Sequence, residues 1–305
     1  MRGIVLFFFF FGIVSLYAET SKVKVLATIK PVAMLAYAIA GEEADISQLI
    51  PDYSSVHNYS FKPSDLRRIK NTDIIFRIDE HLETIFTPIF DALPSSVELI
   101  SLAEEGGIKL LPRSKSGHDN KHGHDHENQH GNDDLHIWTS PKNAIKMAKT
   151  ITRVLSERDP KNAKAYQKNL LNLMSSINVV SQEISQNLID AKNSPYIVFH
   201  NSWRYFQRDF NLKDPAVISL NEGFIPDVKS IRNTRKKIKQ SNVSCIFSDP
   251  SVSKAIVRTL IEGYDVKDVE IDSLGSGLKL QKSAYSYWLK TMGKHVDSCL
   301  SVVAD

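Results

Sequence analysis

Nowhere in this chain of 305 residues is there an apolar stretch of the roughly 20 residues needed to span a bilayer. Cysteine is nearly absent. Only Cys245 and Cys299 occur, and their spacing excludes a CxxC redox pair or a cysteine-rich zinc knuckle. A large excess of basic charge is lacking too. The formal net charge is +3, close to balanced, and does not suggest a nucleic-acid footprint. No HExxH or HxE…CxxC motif sets a base beside a histidine, and neither a GxSxG elbow nor a GxxxxGKS/T loop is present. Positive evidence for an enzyme is therefore absent.

What is present begins with an address. Arg2 precedes an apolar run from Ile4 to Leu16, and the small residue Ala18 follows. A charged start, a short apolar core and a small residue at the cleavage position describe a secretory signal peptide, residues 1–18. An uncleaved anchor is the alternative. Without a cysteine near the cleavage site, lipid anchoring is not expected. Cleavage leaves 305 − 18 = 287 residues, enough for two lobes of ordinary size. An even pair of cysteines in an exported chain reads as one disulfide, two buried thiols being the alternative. The expected location is the periplasm.

Between Lys22 and Leu102, short β-branched runs alternate with helical patterns. KVLATI (24–29), ADISQLI (44–50), DIIFRI (73–78) and VELISL (97–102) read as strands. Pro31 and Pro63 stand where a first-turn proline belongs, and a further helix is expected over His81–Leu93. Residues 113–134 hold no large apolar residue and cannot bury a core, so a mobile loop is expected. Pro141 to Arg158 reads as a helix. A longer one from Lys161 to about Ala191 carries one apolar stripe, Leu170, Leu173, Ile177, Val180 and Ile184. Alternation then resumes with strands YIVF (196–199), AVISL (216–220), SCIFS (244–248) and VEID (269–272). Such alternation argues for parallel sheets covered by helices. The organisation inferred is α/β: an N-terminal lobe over 19–140, a helical connection over 141–192 and a C-terminal lobe over 193–305.

The ten histidines fall into three groups. His118, His122, His124, His126 and His130 lie in the polar insertion, interleaved with Asp119, Asp125 and Glu127. His-rich tracts bind metal by composition, so further weak zinc sites are expected there; a merely solubilising insert is the alternative. His81 and His295 fall on helical patterns and are expected at the surface. His57, His136 and His200 each stand beside a strand end or helix start, and Asp272 ends the last strand. Ligands of open α/β folds bind beyond the carboxyl ends of strands. Three imidazoles and one carboxylate match the donors and coordination number that Zn²⁺ favours. Hydrogen-bonded polar residues at strand ends are the bland alternative.

The strings ATIKP (27–31), HNYSFKPSDLRRIKNTDIIF (57–76), HIWTSPKNA (136–144), VFHNSWRYF (198–206) and IDSLG (271–275) resemble, in order, the signatures of one family. They are similar to those of the zinc-uptake substrate-binding proteins of ABC transporters. The resemblance implies two (β/α)4-type lobes bridged by one long rigid helix, with metal in the cleft. It puts the metal histidines on His57, His136 and His200, the His-and-acid-rich insertion on 117–134, and an inter-strand disulfide on Cys245 and Cys299. It also implies a membrane permease and its cytoplasmic ATPase as partners, with the chain itself a monomer. Manganese-type relatives carry a glutamate where His200 stands, and imidazole favours zinc there. Some zinc members have a glutamate just before the first histidine. Here that residue is Val56, so the fourth ligand is Asp272 or water, and Asp272 is preferred. Trp138 and Trp203 are expected to pack near the cleft. Manganese or iron capture, and a secreted zinc hydrolase, are the competing functions; the hydrolase lacks an evident base.

Overall fold

The structure, a computed structural model, describes residues 21–113, 133–219 and 227–301. The expected signal peptide and all five insertion histidines lie outside these ranges. The first half of the chain gives β1 (Val23–Ala27), α1 (Lys30–Ala40), β2 (Ala44–Gln48), α2 (Pro63–Lys70), β3 (Ile74–Arg77), α3 (Thr87–Phe90), β4 (Glu98–Ser101) and α4 (Leu102–Glu105). A two-residue ribbon follows, β5 (Leu111–Pro112) against β6 (Asp133–Asp134), and then α5 (Pro141–Arg158) and α6 (Ala163–Asn187). The second half is β7 (Tyr196–His200), α7 (Arg204–Asp209), β8 (Ala216–Ser219), α8 (Val228–Gln240), β9 (Cys245–Ser248), α9 (Lys254–Ile261), β10 (Lys267–Glu270) and α10 (Ala284–Leu300).

Two parallel four-stranded sheets result, ordered β2-β1-β3-β4 and β10-β9-β7-β8. Their central strands are apolar on both faces: Ile74, Ile75 and Phe76 of β3 are fully buried, as are Ile197 and Val198 of β7 to within about 1 %. Strands covered on both sides read as continuous apolar runs, which is why the sequence pattern found them. Prolines open α1, α2 and α5, where a missing N–H costs nothing. The Ser140 side chain accepts from the Asn143 N–H and caps α5.

Helix α6 is the bridge. Its 25 residues span about 37 Å at 1.5 Å per residue. The whole stripe Leu170, Leu173, Ile177, Val180 and Ile184 is buried, packed against α1, α5 and α10. Gly293 lets α10 close on α6, since a Cβ there would lie 2.5 Å from Ile184 Cγ1. One apolar core consequently runs from β1 and β3 through α1 and α6 to Trp203, Phe247, Tyr285 and Trp288 of the second lobe. A smaller one lies under α8 and α9.

Three expectations change. The helix over 81–93 is a 3₁₀ turn, Thr84–Phe86, followed by the single turn α3, because Pro88 allows no longer continuous ladder. Cys245 and Cys299 are joined, Cα atoms 5.8 Å apart, but the bridge ties strand β9 to helix α10 and is not inter-strand. Asp133 and Asp134, taken with the loop, form the returning strand of the ribbon. Among the described residues no helix is long and apolar enough to cross a membrane.

Candidate metal centre

His200 ends β7, at the carboxyl edge of its sheet. His136 stands just before the 3₁₀ turn Ile137–Thr139 that leads into α5. His57 sits in the irregular segment between β2 and α2, and is the most exposed of the three. The fold brings them together. One donor atom from each lies within 4.8 Å of the other two, and among the described residues no other group of three such side chains does so. Ring centroids are 5.3 Å apart for His57 and His136, 5.6 Å for His57 and His200, and 5.0 Å for His136 and His200.

For two of the three rings the nitrogens that face each other are identifiable. His57 Nε2 and His136 Nε2 are 3.2 Å apart. His136 Nδ1 lies 2.8 Å from Asp134 Oδ1, and an ionised carboxylate only accepts, so Nδ1 carries the proton and Nε2 the free lone pair. Asp134 is buried, which pushes its carboxyl up, but His136 and the Arg204 guanidinium outweigh this and hold it below the usual carboxylate range. Arg204 Nη1 approaches Asp134 Oδ2 at 3.5 Å. Tyr205 Oη accepts from the Leu111 N–H at 2.9 Å and donates to the Asp134 carbonyl at 2.5 Å, so it clamps both strands of the ribbon. Asp134, Arg204 and Tyr205 were not singled out by sequence; a carboxylate two residues before a histidine was the available signal.

His57 keeps an exposed edge, but crowding around its ring removes most of its hydration, and this, reinforced by the neighbouring imidazoles, lowers it to about 3; burial of His200, reinforced in the same way, lowers it to about 2. Both are therefore neutral at pH 7, the form that ligates metal.

Asp272 does not join the cluster. Its Oδ1 accepts from the backbone N–H groups of Leu274 at 2.9 Å and Gly275 at 3.0 Å, and its Oδ2 from that of Ser276 at 2.6 Å. The carboxylate folds forward onto its own turn because positive φ at Gly275 and Gly277 (69° and 75°) lets the chain curl around it. Burial raises its pKa, partly offset by these hydrogen bonds. Trp138 is buried beside the site, 5.2 Å from His136, and donates to the Ser273 carbonyl at 2.8 Å. Trp203 packs inside the second lobe against Tyr196 and Phe247. His81 is half-buried, its Nδ1 2.9 Å from Asp79 Oδ1, and His295 is exposed.

Two parallel-sheet lobes on one bridging helix, with three convergent imidazoles at the cleft, define a metal-type substrate-binding protein. A family model described as "Zinc-uptake complex component A periplasmic" matches residues 25–299, and the chain belongs to that family. It is 29% identical to the high-affinity zinc uptake system protein ZnuA of Haemophilus ducreyi, over 91% of this chain and 93% of the relative. The protein of the same name from Brucella suis is 27% identical over 91% of each. A crystal structure of ZnuA superposes with a TM-score of 0.77 at 24% identity, covering 92% of this chain and 99% of the other. The same fold occurs in FpvC from Pseudomonas aeruginosa in complex with Mn²⁺, TM-score 0.77 at 20% identity, covering 92% of this chain and 99% of that one.

Proposed function

We propose that this chain captures Zn²⁺ outside the cytoplasm through His57, His136 and His200, with a solvent molecule in the fourth position, and delivers it to an ABC permease driven by its ATPase. The observation that carries the reading is the Nε2–Nε2 distance of 3.2 Å between His57 and His136. A tetrahedral zinc with Zn–N bonds near 2.0–2.1 Å has nitrogen–nitrogen edges of about 3.3 Å. Three imidazole nitrogens without a carboxylate favour zinc over manganese, which prefers oxygen donors. Asp134 supports the reading from behind, since a carboxylate on the second ring nitrogen fixes the tautomer and raises the basicity of the first. With both Asp272 oxygens engaged by its own turn, water is preferred over Asp272 as the remaining ligand.

The test is metal analysis and competition titration of the purified protein with Zn²⁺ and Mn²⁺. One zinc per described site, bound tighter than manganese, is expected. His200→Ala is expected to weaken zinc binding at least tenfold, about 1.4 kcal/mol. Wild-type affinity in that variant would remove His200 from the site.

A further inference from the structure

The segment between β2 and α2 has no regular secondary structure, yet it must hold His57 against imidazoles from two other parts of the chain. Its far end is fixed within its own lobe. Tyr59 packs at a tilt against Phe86, ring centroids 5.8 Å apart, and its hydroxyl donates to Asp65 Oδ2 at 2.8 Å. Its near end is fixed across the cleft. Asp52 Oδ2 accepts the Gly277 backbone N–H at 3.0 Å, while Oδ1 takes Lys30 Nζ at 3.1 Å and Gln48 Nε2 at 3.2 Å. The next residue joins the contact, the Tyr53 backbone N–H donating to Ser276 Oγ at 3.3 Å.

The fit at this crossing is tight. Tyr53 takes φ of 61°, rare for an aromatic residue, and its side chain remains 74 % exposed, so burial does not account for the conformation. Gly277 approaches so closely that a Cβ would stand 2.6 Å from Tyr53 Oη. The receiving turn is the one that Asp272 organises, and its Ser273 carbonyl also holds Trp138, the neighbour of His136. One turn of the second lobe thus reaches toward two metal-site histidines of the first.

We propose that Asp52 and the turn 272–277 form a latch between the lobes that positions the His57 segment and sets how fast bound zinc leaves. The inference rests on the zinc reading above. The continuous apolar core holds the bridging helices together, whereas the latch is polar and partly exposed, so it is the lobe contact that opens at least cost. When it opens, the most exposed ligand, His57, is released first while His136 and His200 remain in place. Asp52 is a positioning residue and touches no metal.

Stopped-flow transfer of Zn²⁺ from the loaded, full-length mature protein to excess chelator tests this. Asp52→Ala is expected to speed zinc dissociation about tenfold, with the association rate within twofold of wild type and the metal-free melting temperature little changed. Asp52→Asn keeps an oxygen that can accept from Gly277 and is expected to stay within about threefold. Ser276→Ala reaches the same contact from the other lobe, removing the acceptor of the Tyr53 N–H, and is expected to speed dissociation about threefold; it serves if Asp52→Ala folds poorly. Dissociation within twofold of wild type in both Asp52→Ala and Ser276→Ala overturns the latch while leaving the zinc site intact. A wild-type protein that takes up no zinc overturns the zinc reading and the latch with it.

Discussion

Asp134 Oδ1 stands 2.8 Å from His136 Nδ1, and the other oxygen of the same carboxylate faces Arg204 from the second lobe. In the proposed zinc site the pair would lie behind the metal position and make the ring a better donor without touching the ion. Outer partners of this kind change affinity by about ten- to a hundredfold when removed. Asp134→Ala is expected to weaken zinc binding by that amount. The Asp134→Asn amide can still accept through its oxygen, so its effect is expected to be smaller. Competition titration with a chromogenic chelator reads both: equal losses in the two variants would mean that the negative charge matters, whereas wild-type affinity in Asp134→Asn would mean that ring orientation alone does.

The two depressed histidines give the protein a distinctive response to acid. Three ordinary imidazoles with pKa near 6.5 would lose roughly four orders of magnitude in zinc affinity between pH 7 and pH 5. His57 and His200, held at about 3 and about 2, take up no proton in that interval. Zinc affinity is therefore expected to fall by less than about a hundredfold from pH 7 to pH 5. A loss beyond about a thousandfold would show that both rings titrate freely. Stability of the metal-free protein has a definite sign. Below pH 6.5 the unfolded chain binds protons that the folded site refuses, so unfolding becomes easier as pH falls from about 6.5 toward 3. Above that window the two histidines contribute no pH dependence. Thermal melts without metal across pH 4 to 8 would display it.

Asp272 separates a ligand from a turn-former by a different pair of observables. Asn can replace one accepting oxygen but presents an NH₂ to the Ser276 N–H, leaving that donor unmatched. Asp272→Asn is expected to lower metal-free stability by about 1–2 kcal/mol. Zinc affinity is expected to change less than tenfold, less than for any of the three histidines. Unchanged metal-free melting together with a large loss of zinc binding would instead make Asp272 a ligand.

These cases also show what the chain reveals before it folds. Runs such as IIF in β3 and YIVF in β7 are legible because burial on both faces leaves no polar alternation to obscure them. The bridging helix is legible because its five apolar positions alternate steps of three and four residues over about four turns. His57, His136 and His200 stand out because each follows or precedes an element end, where the fold puts ligands. The two carboxylates do not sort themselves. Asp272 and Asp134 both flank regular elements, and local hydrogen bonding decides their roles: three backbone donors curl around the first, while the ribbon delivers the second to His136. That ribbon is two residues per strand, with its halves separated by the polar insertion, and no periodicity can announce so short a pairing. The segment 81–93 misleads for a related reason. Leu82, Phe86 and Phe90 recur at helical spacing and are buried, but Pro88 lies between them.

The apolar core shared by the lobes determines how much of the binding free energy reaches the metal. A receptor that spends part of its time open has its apparent affinity reduced by the fraction that is closed. Separating these lobes would bring Trp138, Tyr285 and their neighbours into water, at about 25 cal/mol for each Å² of apolar surface. The open population is expected to be correspondingly small, so that in the zinc reading the site meets its ion already assembled. A stiff frame of this kind also discriminates. Three imidazoles with donor atoms within 4.8 Å of one another, held on such a frame, do not offer the six oxygen-rich positions that harder divalent cations prefer. Such an ion must accept the geometry it finds or stay in water.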